Sequence, residues 1–190
     1  MLLDEGADVN GSHGFALYTA SSHGHQEIVR MLLDGGADVN TQGGEYGSAL
    51  QAASCGGHQE IVRMLLEGGA VVDAQGGLYG SALEAASSQG YKEIVRMLLD
   101  GGADINAQGA EYGSALYTAS YGGRQEIIHM LLNEGANVNG SHGSALYAAS
   151  YEGHQEIGSD CTVKFWDAAT GSVSAIAFSP DDRLAPGSYL

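Results

Sequence analysis

Proline is nearly missing from these 190 residues, with 2 in all; cysteine also numbers 2, and positive charge is thin, at 7 Lys+Arg against 23 Asp+Glu. Each scarcity excludes something. So little proline does not fit a proline-rich disordered linker. Cys55 and Cys161 stand far apart in no CxxC or Cys/His cluster, which argues against a disulfide framework and a zinc site. A reducing compartment, cytoplasm or nucleus, is the expectation. Basic residues scattered singly within a net charge of −16 supply no positive patch for nucleic acid or an anionic membrane. No uncharged apolar run approaches the ~18 residues of a membrane-spanning helix, and Met1-Leu2-Leu3-Asp4-Glu5 lacks the basic start of a signal peptide. Glycine, by contrast, is plentiful, at 30 residues, more than twice its usual ~7% share, which signals many turns.

Those turns recur with a period. Ser/Phe-Ala-Leu returns with its leucine at Leu17, Leu50, Leu83, Leu116 and Leu146, at intervals of 33, 33, 33 and 30. Glu-Ile, at Glu27, Glu60, Glu93, Glu126 and Glu156, keeps the same spacing. A Leu-Leu pair starts at Leu2, Leu32, Leu65, Leu98 and Leu131, spaced 30, 33, 33 and 33, so only the loop between Leu-Leu and Ala-Leu varies in length.

Each unit reads as two short helices and a loop. Leu50, Ala53 and Ser54 give the first helix a narrow stripe of mostly small residues that admits a close neighbour. Gly56-Gly57 ends it. The second helix, around His58 to Leu66, carries Ile61, Val62, Leu65 and Leu66 on its apolar side and stops at Gly68-Gly69, the residue type that tolerates a left-handed turn. Glu60 and Arg63 are spaced to pair on its solvent side. In the two shorter loops, Asn10-Gly11 and Asn139-Gly140 give the strongest two-residue hairpin signal, which predicts projecting fingers there. Ordering ~33 residues costs on the order of 1.5 kcal/mol each, while a buried Leu or Ile returns ~1.5–3, so a unit folds only against its neighbours.

The helix pair with a finger, carried by Gly57-His58-Gln59-Glu60-Ile61-Val62-Arg63-Met64-Leu65-Leu66 and Gly36-Ala37-Asp38-Val39-Asn40, resembles the ankyrin repeat, over residues 1 to about 157. The resemblance implies an all-α solenoid: about four complete helix pairs at 15 to 135, a partial unit at each end, and non-catalytic protein binding by a monomer without cofactor or metal. One departure is the family's Thr-Pro-Leu-His, replaced by Ser48-Ala49-Leu50-Gln51, Ser81-Ala82-Leu83-Glu84, Ser114-Ala115-Leu116-Tyr117 and Ser144-Ala145-Leu146-Tyr147. Neither Pro nor His survives, but Ser48 and its equivalents retain a helix-capping hydroxyl.

Residues 158–190 change class. Thr162 to Asp167 and Val173 to Phe178 alternate like strands, ahead of a turn at Ser179-Pro180-Asp181-Asp182. The stretch Gly158-Ser159-Asp160-Cys161-Thr162-Val163-Lys164-Phe165-Trp166-Asp167 resembles the end of a WD-repeat blade, and Val173 to Asp181 resembles the start of another. Too little chain is present to close a propeller, and an isolated hairpin is marginal in water, so loose order is expected there.

Two columns vary from unit to unit. Tyr18, Gln51, Glu84, Tyr117 and Tyr147 form one; Ser22, Cys55, Ser88, Tyr121 and Tyr151 form the other. The resemblance places both on the concave side where partners bind, and tyrosine offers large contact area at low entropy cost. Finger residues Tyr46, Tyr79 and Tyr112 are constant between units, which suggests architecture first and binding second. Seven histidines, His13, His23, His25, His58, His129, His142 and His154, are explained by repeat position rather than by convergence on a metal. No GxSxG, HExxH, GxxxxGK or GxGxxG motif appears, so catalysis is the least expected class. Asn10-Gly11-Ser12 and Asn139-Gly140-Ser141 match a glycosylation sequon but read as turns. The acidic column Asp34, Glu67 and Asp100 reads as a solvated face; a surplus of acid can also steer a basic partner. A recognition segment of a larger receptor, similar to the sensor ends of fungal nucleotide-binding immune-like receptors, and a degenerate fragment without activity are the alternatives to a stand-alone scaffold.

Overall fold

The computed structural model describes residues 7–109, 113–138, 145 and 148, apart from the side chains of Ser12 and His13, together with the backbone of two strands at 163–167 and 172–176. The repeat forms α1 (Phe15–Ser22), α2 (Gln26–Asp34), α3 (Ala49–Gly56), α4 (Gln59–Glu67), α5 (Ala82–Gln89), α6 (Lys92–Asp100), α7 (Ala115–Tyr121) and α8 (Gln125–Asn133). Odd-numbered helices pack in one row and even-numbered helices in a second, each odd helix also resting on the even helix that follows it. An all-α solenoid is what the periodicity predicts.

Even helices bury one side. In α4, Ile61, Val62 and Leu65 are enclosed, while Arg63 pairs outside with Glu60 and Glu67. Gly68 closes the helix, Gly69 turns left-handed at φ 86°, and the Gly69 and Ala70 N–H groups bond back to the Leu66 and Leu65 carbonyls at 3.0 and 2.9 Å. Odd helices behave differently from the narrow stripe expected of them. Ala49 through Ser54 are all buried, because α3 lies between α1 and α5 and against α4. In α1, which has one odd neighbour among the described helices, only Leu17, Ala20 and Ser21 are buried. A unit gains its core from the next. Serine opens α3, α5 and α7: Ser48, Ser81 and Ser114 Oγ accept the N–H groups of Gln51, Glu84 and Tyr117 at 3.2, 3.2 and 3.3 Å.

Fingers occupy the longer loops, residues 41–48, 74–81 and 107–114, the last only partly described. Gly76 N–H bonds to the Gly80 carbonyl at 2.9 Å within one finger, and Leu78 N–H bonds to the Glu45 carbonyl of the preceding finger, also at 2.9 Å. The finger expected at Asn10-Gly11 is absent. Gly11–Gly14 form a 3₁₀ turn instead, because those four residues are all that separate Asn10 from α1, and the Asn10 side chain is already committed. Asn139-Gly140 lies outside the described residues.

That commitment is to the neighbouring unit. Asn10 Nδ2 donates to the Gly36 carbonyl at 3.2 Å while its Oδ1 accepts Asp38 N–H at 2.8 Å. Asn40 repeats this with Gly69 and Val71 at 3.2 and 2.8 Å, and Asn106 Oδ1 accepts Asn137 N–H at 2.7 Å. At the third step Asp73 accepts Asp104 N–H at 2.9 Å but, as a carboxylate, has no donor to return.

In the C-terminal segment, β1 (Val163–Asp167) pairs antiparallel with β2 (Ser172–Ile176), Trp166 opposite Val173. The second strand starts one residue before the alternation at Val173 to Phe178; the remainder of the tail, including the turn at 179–182, lies outside the described residues.

Replacing Asn40 with Ala removes two bonds between units and lowers unfolding free energy by about 1–2 kcal/mol. Urea unfolding followed by circular dichroism measures it, and an unchanged midpoint would show that water serves those groups equally well.

Candidate functional site

In the first variable column Gln51 and Glu84 face inward. Gln51 sits one turn into α3 and is 2% exposed; its Nε2 donates to the Gly76 and Gly80 carbonyls of the next finger at 2.8 and 2.9 Å, and its Oε1 accepts Ser48 N–H at 2.7 Å. Tyr18, one unit earlier, does related work: its hydroxyl accepts Tyr46 N–H at 3.2 Å, and its ring fills the space beside Gly44, which adopts φ 73°. Glutamine and tyrosine thus tie loop to helix at the position where the family's pattern has histidine. Gln51 and Glu84 are therefore corrected as partner-binding residues. Both are enclosed by the finger they hold, and neither presents a surface.

Glu84 holds its finger less well. Its carboxylate, 1% exposed, lies against Gly109, the counterpart of Gly76, and neither oxygen finds a hydrogen-bond partner of good geometry. Burial pushes its pKa up to about 8 from an ordinary 4.5, against a smaller opposing pull from the N–H groups of Ser81 and Gly109 and the Ser81 hydroxyl. A carboxyl that stays protonated near neutrality supplies one donor where Gln51 supplies two.

The second column opens outward. Cys55 is half-buried beside the Tyr46 and Tyr79 hydroxyls, and burial raises its thiol pKa, so it is a weak nucleophile. The Tyr46 and Tyr79 rings lie nearly parallel, centroids 6.5 Å apart, and the Tyr79 hydroxyl accepts Gln89 Nε2 at 2.9 Å. Ser88 also reaches Tyr79. Burial raises the Tyr79 hydroxyl; on Tyr46 the Cys55 thiolate is the largest upward influence, followed by burial and the Glu45 carboxylate. Tyr121 is 42% exposed and Tyr117 half-buried. Sequence reasoning misses Phe15, which is 45% exposed and meets Tyr18 edge to face at 6.0 Å. The signal that could have found it is the break from Ser-Ala-Leu to Phe-Ala-Leu. Tyr112, Tyr147 and Tyr151 lie outside the described residues.

Histidine stays with the scaffold. A His58 ring nitrogen lies 3.2 Å from the Ser22 carbonyl at the end of α1, as Arg124 Nε donates to the Ser88 carbonyl at 3.0 Å two units on. Among the described residues no group of three or more His, Cys, Asp or Glu side chains is placed to hold a metal, and no helix is long and apolar enough to cross a membrane.

Replacing Glu84 with Gln recreates the Gln51 contact and raises stability near pH 8 by about 1–3 kcal/mol. The sign follows from the two pKa values: with about 8 folded against 4.5 unfolded, native stability is full below pH 4.5 and falls as pH rises toward 8. The variant's advantage, read from urea midpoints, grows across that window; parallel profiles for the two proteins would remove Glu84 as the buried acid.

A family model described as Ankyrin repeats (3 copies) matches residues 41–109, and one described as Ankyrin repeat matches 15–43 and 113–142. Among curated proteins none matches the chain. The family matches end at residue 142, and nothing supports the WD-like reading of 158–190. With more than half of its length covered by these matches and its helices stacked as the period requires, the chain belongs to the ankyrin repeat family.

Proposed function

We propose that this protein is a non-catalytic scaffold that captures a protein partner along its odd helices and fingers. Ankyrin repeats in general mediate protein–protein interaction. The observation that carries the reading here is a row of aromatic side chains joined by direct contacts: Phe15 on Tyr18, Tyr18 on the Tyr46 backbone, and Tyr46 beside Tyr79. Cys55 and Ser88 lie against this row, and Tyr121 continues their column one unit further.

Such a row suits binding. Rings fixed by internal hydrogen bonds lose little further freedom when a partner arrives, so less of the contact energy is spent on ordering. In sequence the second half of the array adds Tyr117, Tyr147 and Tyr151 to the same columns, with Tyr112 as the third finger tyrosine.

Changing Tyr117, Tyr121, Tyr147 and Tyr151 together to Ala lowers partner affinity at least tenfold, the scale of an aromatic hot spot, and leaves the helical circular dichroism in place. Affinity capture from native lysate, wild type against variant, reads the loss by mass spectrometry. Equal capture by both proteins would defeat the assignment of this face.

A further inference from the structure

Charge is sorted between the two rows. In residues 7–138 every Lys and Arg lies within an even helix or at its start, and each is engaged. Arg30 pairs with Glu27, Arg63 with Glu60 and Glu67, Arg96 with Glu93, and Lys92 with Glu126 of the next unit, while Arg124 donates to the Ser88 carbonyl. The odd helices and the finger loops of that stretch hold no Lys or Arg at all.

Acids stand at the turns before them: Asp8, Asp38 and Asp104 are exposed and accept backbone N–H groups from Asn10, Asn40 and Asn106 at 3.0, 3.0 and 2.9 Å. Glu45 is exposed at a finger tip beside the aromatic row, close enough that its charge is felt at both Tyr46 and Cys55. None of these four appears in an ion pair among the described residues. Beside the aromatic row the charge of Glu45 thus stands without a cation among the described residues, and the molecule as a whole carries −16.

We infer that the partner of this face is an extended protein segment rich in Arg and Lys, docked with its cations against the tyrosine rings and the Glu45 carboxylate. The inference rests on the scaffold reading and narrows it. A guanidinium stacks on an aromatic face and bonds a carboxylate in the same pose, which neither an acidic nor a purely apolar segment does. The surrounding acid speeds the encounter and makes it sensitive to salt.

A random dodecapeptide library displayed on phage and selected against the full chain tests this. Arg and Lys are expected to rise severalfold in the enriched pool. The commonest basic peptide, synthesised and labelled, is expected to bind at least tenfold more weakly to Glu45→Lys. It binds undiminished to Glu67→Lys, which makes the same charge change on the outer side of α4. Enriched peptides without basic residues that still lose binding on the four-tyrosine variant would overturn the basic partner and leave the scaffold standing. A basic peptide weakened equally by both charge reversals would overturn it as mere attraction to an acidic protein. A library that yields no binder would count against both readings.

Discussion

Everything in this stack depends on one unit finishing the hydrogen bonds of the next. Carbonyl and amide groups at helix ends and loop corners are costly to leave without partners once enclosed. Here the neighbour's side chains meet many of them. Asn40 closes the turn after α4, Gln51 fills the corner of finger 74–81, and His58 reaches the end of α1. Apolar burial follows the same logic, since α3 is enclosed through Ala49–Ser54 only because it has odd neighbours on both sides. Polar closure sets the register of the stack, and apolar contact supplies most of its free energy.

Two of these closures are poorer at the same joint. Asp73 cannot donate as Asn10 and Asn40 do, and Glu84 meets its finger without the bonds Gln51 makes. Both belong to the unit containing α5 and α6. What crosses from there to the following unit includes the Lys92–Glu126 ion pair, exposed and therefore weak, and the Arg124 bond to the end of α5. In a quasi-one-dimensional array, local opening concentrates at the weakest interface. At the joint between α5–α6 and α7–α8 these two polar closures are poorer than their counterparts, while α5 still packs closely on α7.

Much of this was legible in the period. Helix ends at glycine, the serine caps, the Glu60–Arg63 pair and the need for neighbours all follow from spacing and residue type. Gln51 and Glu84 mislead for a physical reason. Variation between units looks like freedom at a surface, yet it records different side chains answering one internal demand, a finger backbone that must be met. Sequence alone gives the position but not the direction in which the side chain reaches. Asn10-Gly11 misleads similarly, because a local turn preference gave way to a bond with Gly36 and Asp38, a partner 26 and 28 residues away. Phe15 escapes a column-by-column reading because it replaces a residue that the other units use as a cap.

Four residues separate Gln51 from Cys55, one turn of helix, and that turn divides scaffold from surface. In α3 and α5 the following finger covers Gln51 and Glu84 and leaves Cys55 and Ser88 half-buried, so the Gln51 position is constrained by backbone and the Cys55 position is not. Tyr46 and Tyr79 join the two. Their hydroxyls are occupied by Cys55 and Gln89, which holds the two half-buried rings nearly parallel beside the open column. The two rings keep their spacing only while consecutive fingers stay bonded through Leu78 and Glu45. On the scaffold function proposed above, loosening one unit against the next would therefore weaken binding without altering a single side chain of the row.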